Sequence, residues 1–541
     1  NYTVNQYKAL RDNESRAMQM MTAFNNHEDW AEVVNRIDRL SKVTKQEVVD
    51  FANKYMNNYA AIYKLEGVPD FTSIDKPQIT PLEINRDTAS QFLKDIQLSK
   101  PADIAPVFVD FSKDMQQSKY QDRLDLLYKH NDGDPLFTLY YVYDMGSYND
   151  KMLELAFDYL PYLGTDKYTA EELQEEFYKL AASYYAVASG DRVYVYLSGI
   201  DKNFDASLAL FEHVLSSGKA DPMRYAYLAQ DLVKLADDAK KDQNTNLSYL
   251  ANYALYGKDN PRTWGLKPAE IMKADPEALV AKIKDLKNYE HTIMYFGPES
   301  MESLNQKLAA HHVLPASFTP MPAAHEFNLR DNDGEVFFAH YDAPQVNIVG
   351  LMKGMKYDRD ELPSIEMYNN YFGGGMSGIV FQEIREARAL AYSSYAYYGT
   401  PSRPDKECVF QSFIGTQTDK MQDAVTALNG ILQNMPLSNN TFNLAKESTL
   451  NNYRTGRTLR EDVFFAYLQA KKFGWNEDPD KFCYEKIQGM TLDDVKAFQE
   501  KYIKGLPFDY AVLGNKQDVD MKYLRSLGKL RTLSTEEIFG Y

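Results

Sequence analysis

Cysteine is almost missing from this 541-residue chain, which has only Cys408 and Cys483. So few thiols exclude a disulfide framework and a thiolate zinc site, and they leave open whether the two pair or stay free. Basic charge is short as well: 60 Lys and Arg stand against 77 Asp and Glu, a formal net charge of -17. With no basic stripe to overcome that field, nucleic acid and anionic headgroups are excluded as partners. No apolar run of about 18 residues is available to span a membrane. Asn1-Tyr2-Thr3-Val4 has neither the basic start nor the apolar core of a signal peptide. What is present is ordinary for a soluble core, 44% hydrophobic and 25% charged, and the length allows two or three domains.

One segment occurs three times. Thr44-Lys45-Gln46-Glu47-Val48-Val49-Asp50-Phe51, running on to Gly67, returns as Asp275-Pro276-Glu277-Ala278-Leu279 through Gly297 and as Thr491-Leu492-Asp493-Asp494-Val495 through Gly514. Each copy opens with an N-cap residue and an acid in the first turn and continues as an amphipathic helix. A short apolar strand follows: Ala60-Ala61-Ile62-Tyr63, Thr292-Ile293-Met294-Tyr295 and Tyr510-Ala511-Val512-Leu513. The copies lie roughly 220 residues apart, so each ends a domain-sized unit. Too few residues precede the first copy to make a unit. The reading is therefore two full units and the tail of a third, whose remainder belongs to partner sequence and should cover Met18, Met21, Phe24, Val48 and Phe51.

The two full units repeat an order of strand, helix, helix, strands, helix and tail. Leu136–Tyr143 and Val346–Met352 read as buried strands. Helices ending near Gly164 and Gly373 come next, followed by Val193–Leu197 before Asp205–Leu215 and Cys408–Ile414 before Asp419–Leu432. This order predicts an α+β class, each domain a mostly antiparallel sheet with helices packed on one face. Pro-rich stretches without periodicity set the boundaries: a domain end at 1–67, a linker at 68–106, a domain at 107–300, a linker at 301–333 and a domain at 334–541.

The stretch Gly373-Gly374-Gly375-Met376-Ser377-Gly378-Ile379-Val380-Phe381-Gln382-Glu383-Ile384-Arg385-Glu386-Ala387-Arg388-Ala389-Leu390-Ala391-Tyr392 resembles the glycine turn, helix and Arg-to-Tyr segment in the C-terminal half of insulinase/pitrilysin-type zinc peptidases. The resemblance implies four similar α+β domains in two halves that close around a peptide-holding chamber. This chain would span the end of the second domain, the interhalf linker, and the third and fourth domains.

That family's inverted zinc motif, H-x-x-E-H, sets two imidazoles and a general-base carboxylate on one helix face. Here the matching helix reads Leu155-Ala156-Phe157-Asp158-Tyr159, so neither imidazole is present and no metal ligand is assigned in this chain. Ala209-Leu210-Phe211-Glu212-His213 keeps a Glu-His pair but has Ala at the first ligand position, which makes His213 an ordinary, partly buried side chain. None of His27, His130, His291, His311, His312, His325 and His340 has a His partner at i+4, and His311 and His312 point to different helix faces.

The resemblance carries the functional assignment. Tyr392 would be the catalytic phenol, hydrogen-bonding the scissile carbonyl as it becomes an oxyanion, and Arg385 would join it in binding substrate carbonyls. Read without the resemblance, Arg385 is a surface ion-pair partner of Glu383 or Glu386, Tyr392 is one of 41 tyrosines packing a strand, and Arg388 is structural. Gly373-Gly374-Gly375 lacks the company of a phosphate loop, and Gly375-Met376-Ser377-Gly378-Ile379 lacks the last glycine of a nucleophile elbow. The expected activity is that of a zinc-dependent endopeptidase acting on unfolded peptides, with zinc held by an N-terminal portion outside this chain. The alternative is a non-catalytic family member serving as a peptide-binding or scaffold subunit. A periplasmic or secreted location is what the family's large bacterial members suggest.

Overall fold

A computed structural model describes residues 2–65, 67, 90–99 and 102–541. They form two compact units, 2–105 and 106–541.

The first unit is helical: Tyr2–Leu10, Asn13–Asn25, Trp30–Val34, Arg36–Leu40, Lys45–Tyr55 and Gln91–Leu98. Its first repeat copy starts as expected. The Thr44 hydroxyl accepts from the Glu47 amide at 3.3 Å while the Glu47 carboxylate accepts from the Thr44 amide at 2.7 Å, a reciprocal cap. Residues 60–63, expected as a strand, are not one here. Ile62 and Tyr63 are exposed, and an extended segment becomes a strand only where a neighbour closes a ladder. Met18, Met21, Phe24, Val48 and Phe51 are likewise exposed. Most of the 68–106 linker lies outside the described residues. Within it, Gln91–Leu98 is a helix capped by the Ser90 hydroxyl on the Leu93 amide.

The second unit contains two six-stranded sheets. The first comprises β1 (Gln116–Tyr120), β2 (Leu124–His130), β3 (Leu136–Tyr143), β4 (Ser183–Ala188), β5 (Val193–Ile200) and β6 (Thr292–Gly297), in the order β1-β2-β6-β3-β5-β4. The second comprises β7 (Glu335–His340), β8 (Gln345–Lys356), β9 (Ser393–Gly399), β10 (Glu407–Gln417), β11 (Asp509–Gly514) and β12 (Lys529–Leu533), in the order β12-β7-β11-β8-β10-β9. Five strands follow the same path in both, β2-β6-β3-β5-β4 and β7-β11-β8-β10-β9. Only β2–β6, β7–β11 and β7–β12 pair in parallel. The α+β class with mostly antiparallel sheets thus holds. The later two repeat tails become β6 and β11, inserted centrally with both faces covered, which is why they read as unbroken apolar runs.

The 301–333 stretch is not all linker. Met301–His311 is a helix, capped by the Ser300 hydroxyl on the Ser303 amide, that buries Leu304 and Leu308 completely against the first sheet's core. An i, i+4 pair in eleven residues is a weak periodic signal beside the surrounding prolines.

The two halves also exchange helices. Gln243–Tyr256 lays Leu250, Tyr253 and Ala254 on Phe337, Val349, Leu351, Ala511 and Leu513 of the second sheet. Asp462–Lys472 reciprocates, packing Val463, Phe464 and Leu468 on Leu127, Val142, Met294 and Phe296 of the first. Each sheet therefore has its own half's helices on one face and a borrowed helix on part of the other. The borrowed helix over the second sheet stops short of β9, leaving Tyr395 and Tyr397 exposed.

Candidate functional site

The site grows from the turn before β9. Pro363 fixes the start of the helix Leu362–Tyr368, which ends in a wide turn, Asn369–Gly373, closed by an i+5 bond from the Gly374 amide to the Asn369 carbonyl at 2.8 Å. The Asn369 side chain then behaves as a strand partner for Tyr398, donating to its carbonyl at 3.0 Å and accepting from its amide at 2.8 Å. It thereby covers part of the outer edge of β9. Gly373 lies so close to that edge that a Cβ there would sit 1.8 Å from the Ala396 carbonyl oxygen. Gly375 turns the chain with φ +68°, a value that side chains disfavour.

The turn launches the second wide helical segment, Phe381–Glu386, with Val380 and Ile384 fully buried and Phe381 and Arg385 turned outward. The Arg385 guanidinium lies 4.9 Å from the centroid of the Phe381 ring and 4.9 Å from that of Tyr392. Two aromatic faces so placed hold the cation without neutralising it. Its Nε is 3.6 Å from the Glu386 carboxylate, too long for a hydrogen bond, and both side chains are well exposed, so that pair fixes little. Arg388 instead pairs with Glu383 at 3.3 Å. Tyr392 is 76% exposed.

Two residues that sequence reasoning passed over shape the segment between Arg385 and Tyr392. Ala389 has φ +49°, a left-handed conformation costing an alanine roughly 1–2 kcal/mol. The Lys420 ammonium donates to the Ala389 carbonyl at 3.1 Å, and the Thr416 hydroxyl donates to the carbonyl of Leu390. Neither carries a motif, because each reaches the site from another element. Arg385, Tyr392, Lys420, Gln345 and Gln417 line one cavity of ≈ 500 Å³. It offers two cations, one exposed phenol and side-chain amides beside the Glu386 carboxylate, and its donors can hold carbonyl oxygens and donate to one that gains charge.

The positions matching the zinc motif lie elsewhere. In the helix Met152–Tyr159, Leu155 and Tyr159 are buried, and the Tyr159 hydroxyl is tied to the Asp221 carbonyl at 2.8 Å. An alkyl side chain and a phenol already bonded elsewhere do not fit zinc. His213 Nε2 lies 3.3 Å from an Asp166 oxygen, without hydrogen-bond alignment. Among the described residues no group of three or more His, Cys, Asp or Glu is arranged to hold a metal ion. The isolated chain is expected to carry substoichiometric zinc, unchanged in His213→Ala. Elemental analysis giving one tightly held zinc, lost in that variant, would contradict this assignment.

His291 and His312, unremarkable in the sequence, meet inside the first sheet's core. Their Nε2 atoms are 3.0 Å apart, His312 Nδ1 is 2.8 Å from Glu212 Oε1, and the Tyr141 hydroxyl donates to the same oxygen at 2.6 Å. His291 Nδ1 lies 3.0 Å from the Tyr289 carbonyl, which can only accept, so that nitrogen carries the proton. Burial, and then the neighbouring His312, push the His291 pKa down from 6.5 to about 3. Between these two values the unfolded chain binds a proton that the folded chain refuses. Stability from this group is therefore complete above pH 6.5 and falls by about 1.4 kcal/mol per pH unit below it. Urea titrations at several pH values between about 3 and 6.5 should show stability rising less steeply with pH in His291→Gln than in the wild-type chain, by about 1.4 kcal/mol per pH unit. An identical slope in the variant would remove His291 as its source.

Comparisons with known proteins agree with this architecture. Residues 307–446 match the family described as "Peptidase M16 inactive domain". An uncharacterized zinc protease of Rickettsia felis is 21% identical over 272 residues, covering 49% of this chain and 63% of that protein. The peptidase M16 inactive domain of Pseudomonas fluorescens superposes with TM-score 0.60 at 16% identity, covering 75% of this chain and 99% of that one. The periplasmic protease PqqL of Escherichia coli superposes with TM-score 0.62 at 13% identity, covering 89% of this chain and 52% of that one. The chain thus spans less than two thirds of the Rickettsia protein and about half of PqqL.

Proposed function

We propose that this chain is the C-terminal portion of an insulinase/pitrilysin-type peptidase and that it holds peptide for cleavage through Arg385 and Tyr392. The observation that carries this reading is the Arg385 guanidinium set between the Phe381 and Tyr392 rings at a ≈ 500 Å³ cavity, charged yet only loosely paired. Arg385 donates to a peptide carbonyl in ground and transition states alike. Tyr392 donates its phenolic proton to the scissile carbonyl oxygen, a bond that strengthens as charge develops there. Zinc belongs to an N-terminal portion that completes the chamber around unfolded peptides, and no step is assigned to a metal in this chain. A periplasmic setting follows the description of PqqL.

The family match to an inactive domain favours one other reading, a peptide-binding or scaffold subunit without turnover. An upstream or co-purifying chain bearing H-x-x-E-H decides for the enzyme, and its absence decides for the scaffold. Titration of a labelled unfolded peptide against Arg385→Ala tests the site itself. Unchanged affinity would refute the assignment of Arg385.

A further inference from the structure

The Arg385–Tyr392 cavity is one end of a longer groove. Through Gln345, Tyr392 and Gly415 it continues into a ≈ 620 Å³ cavity, bounded by Tyr395, Gln411 and Phe413 of the second sheet and by Asn244, Ser248 and Asn252 of the borrowed helix. Gln411 in turn links that cavity to a third, ≈ 270 Å³, at the far end of β9. The groove exists because the helix Gln243–Tyr256 covers the sheet only as far as β8 and part of β10. The outward residues of β9 beyond it, Ser393, Tyr395 and Tyr397, alternate with buried Ser394, Ala396 and Tyr398 and form its floor.

The far cavity differs in character from the first. Phe327 meets Tyr148 edge-on at 5.0 Å and His325 at 4.8 Å, His325 stacks on Trp264 at 4.1 Å, and Tyr256 and Tyr397 complete the wall. Most of its charges are already matched: Glu326 accepts from Arg403 at 2.8 Å and from Lys406 at 2.5 Å, Arg403 also pairs with Asp405, His325 bonds Asp259 at 2.8 Å, and Asp191 pairs with Lys472, while Glu407 faces Lys353 at 3.8 Å. What remains on offer is aromatic surface in a space suited to one large side chain.

We propose that this cavity is a distal subsite for an uncharged aromatic or large apolar side chain of an extended peptide whose other end lies at Arg385 and Tyr392. The proposal rests on the peptide-binding reading of those two residues. From Tyr392, just before β9, to Gly399 at its end the chain rises about 3.4 Å per residue, roughly 24 Å, so the selected side chain sits about six or seven residues from the carbonyl at Tyr392. The groove would thus favour long unfolded segments over short ones.

Fluorescence anisotropy on the full chain tests this with two labelled, unstructured fourteen-residue peptides, identical except for one Phe or one Ser near an end. The Phe peptide should bind about tenfold more tightly. Tyr397→Ser, at an exposed position, should abolish that preference without lowering the melting temperature. Arg385→Ala should weaken both peptides equally and keep the preference. Equal affinities in the wild-type chain, binding of neither peptide, or an undiminished preference in Tyr397→Ser would overturn the subsite. A preference that depends on Tyr397 while Arg385→Ala changes nothing would overturn the reading of Arg385 and leave the subsite standing.

Discussion

Tyr392→Phe, assayed with the proposed zinc-bearing N-terminal portion present, is expected to lower kcat about a hundredfold, since one donor removed from a charge-developing site costs on the order of 3 kcal/mol in the barrier. The ring stays, and with it the stacking on Arg385 at 4.9 Å, so the variant isolates the hydroxyl. KM should change little. Arg385→Ala should act chiefly on KM, because a guanidinium that grips carbonyls throughout the reaction contributes uniform binding, though poor positioning also slows chemistry. Zinc content should be normal in both. Steady-state kinetics on a short fluorogenic peptide, with melting temperatures matched, separates the two roles. Wild-type turnover by Tyr392→Phe would refute the oxyanion assignment and leave this half as an enclosing wall.

Gly373→Ala should destabilise the second sheet's half by about 3 kcal/mol or more, a loss of roughly 6–12 °C in melting temperature if that half unfolds as a unit. The added methyl would lie 1.8 Å from the Ala396 oxygen and 2.6 Å from its carbon, both backbone atoms of a paired strand, so the wide turn must back away. Backing away pulls Asn369 off Tyr398 and loosens the strand that begins just after Tyr392. Peptide affinity should therefore fall together with stability. Gly430→Ala is the control: in the helix Met421–Gln433 its Cβ would meet nothing within 4 Å, and it should be neutral or stabilising by up to about 1 kcal/mol. Equal melting temperatures for both variants would remove the close approach as the reason for glycine at 373.

Much of the fold is legible in the chain because its signals are local. N-cap residues, the 3.6-residue period of Lys45–Tyr55, Pro276–Asp285 and Leu492–Tyr502, and the apolar runs after them are read within about twenty residues. The tail at Ala60–Tyr63 is not a strand in this chain for the complementary reason, since a strand is a relation between segments and one segment cannot supply it. Met301–His311 was lost among prolines because its core-facing signal consists mainly of Leu304 and Leu308. At the candidate site, Arg385 and Tyr392 are legible as a pair because they lie seven positions apart, whereas Thr416 and Lys420 act from β10 and the turn that follows it.

By itself the sequence determined which faces are apolar, the twofold repetition of the sheet and the absence of paired imidazoles at Leu155 and Tyr159. All three follow from residue identity at short spacing. Tertiary structure alone decided what covers each face. It set one helix of each half on the other half's sheet, brought His291 and His312 together, and left β9 half open as the floor of a groove. The reason is physical: side-chain periodicity fixes the direction in which a residue points, but the partner it meets depends on sheet register and helix packing across a hundred residues or more.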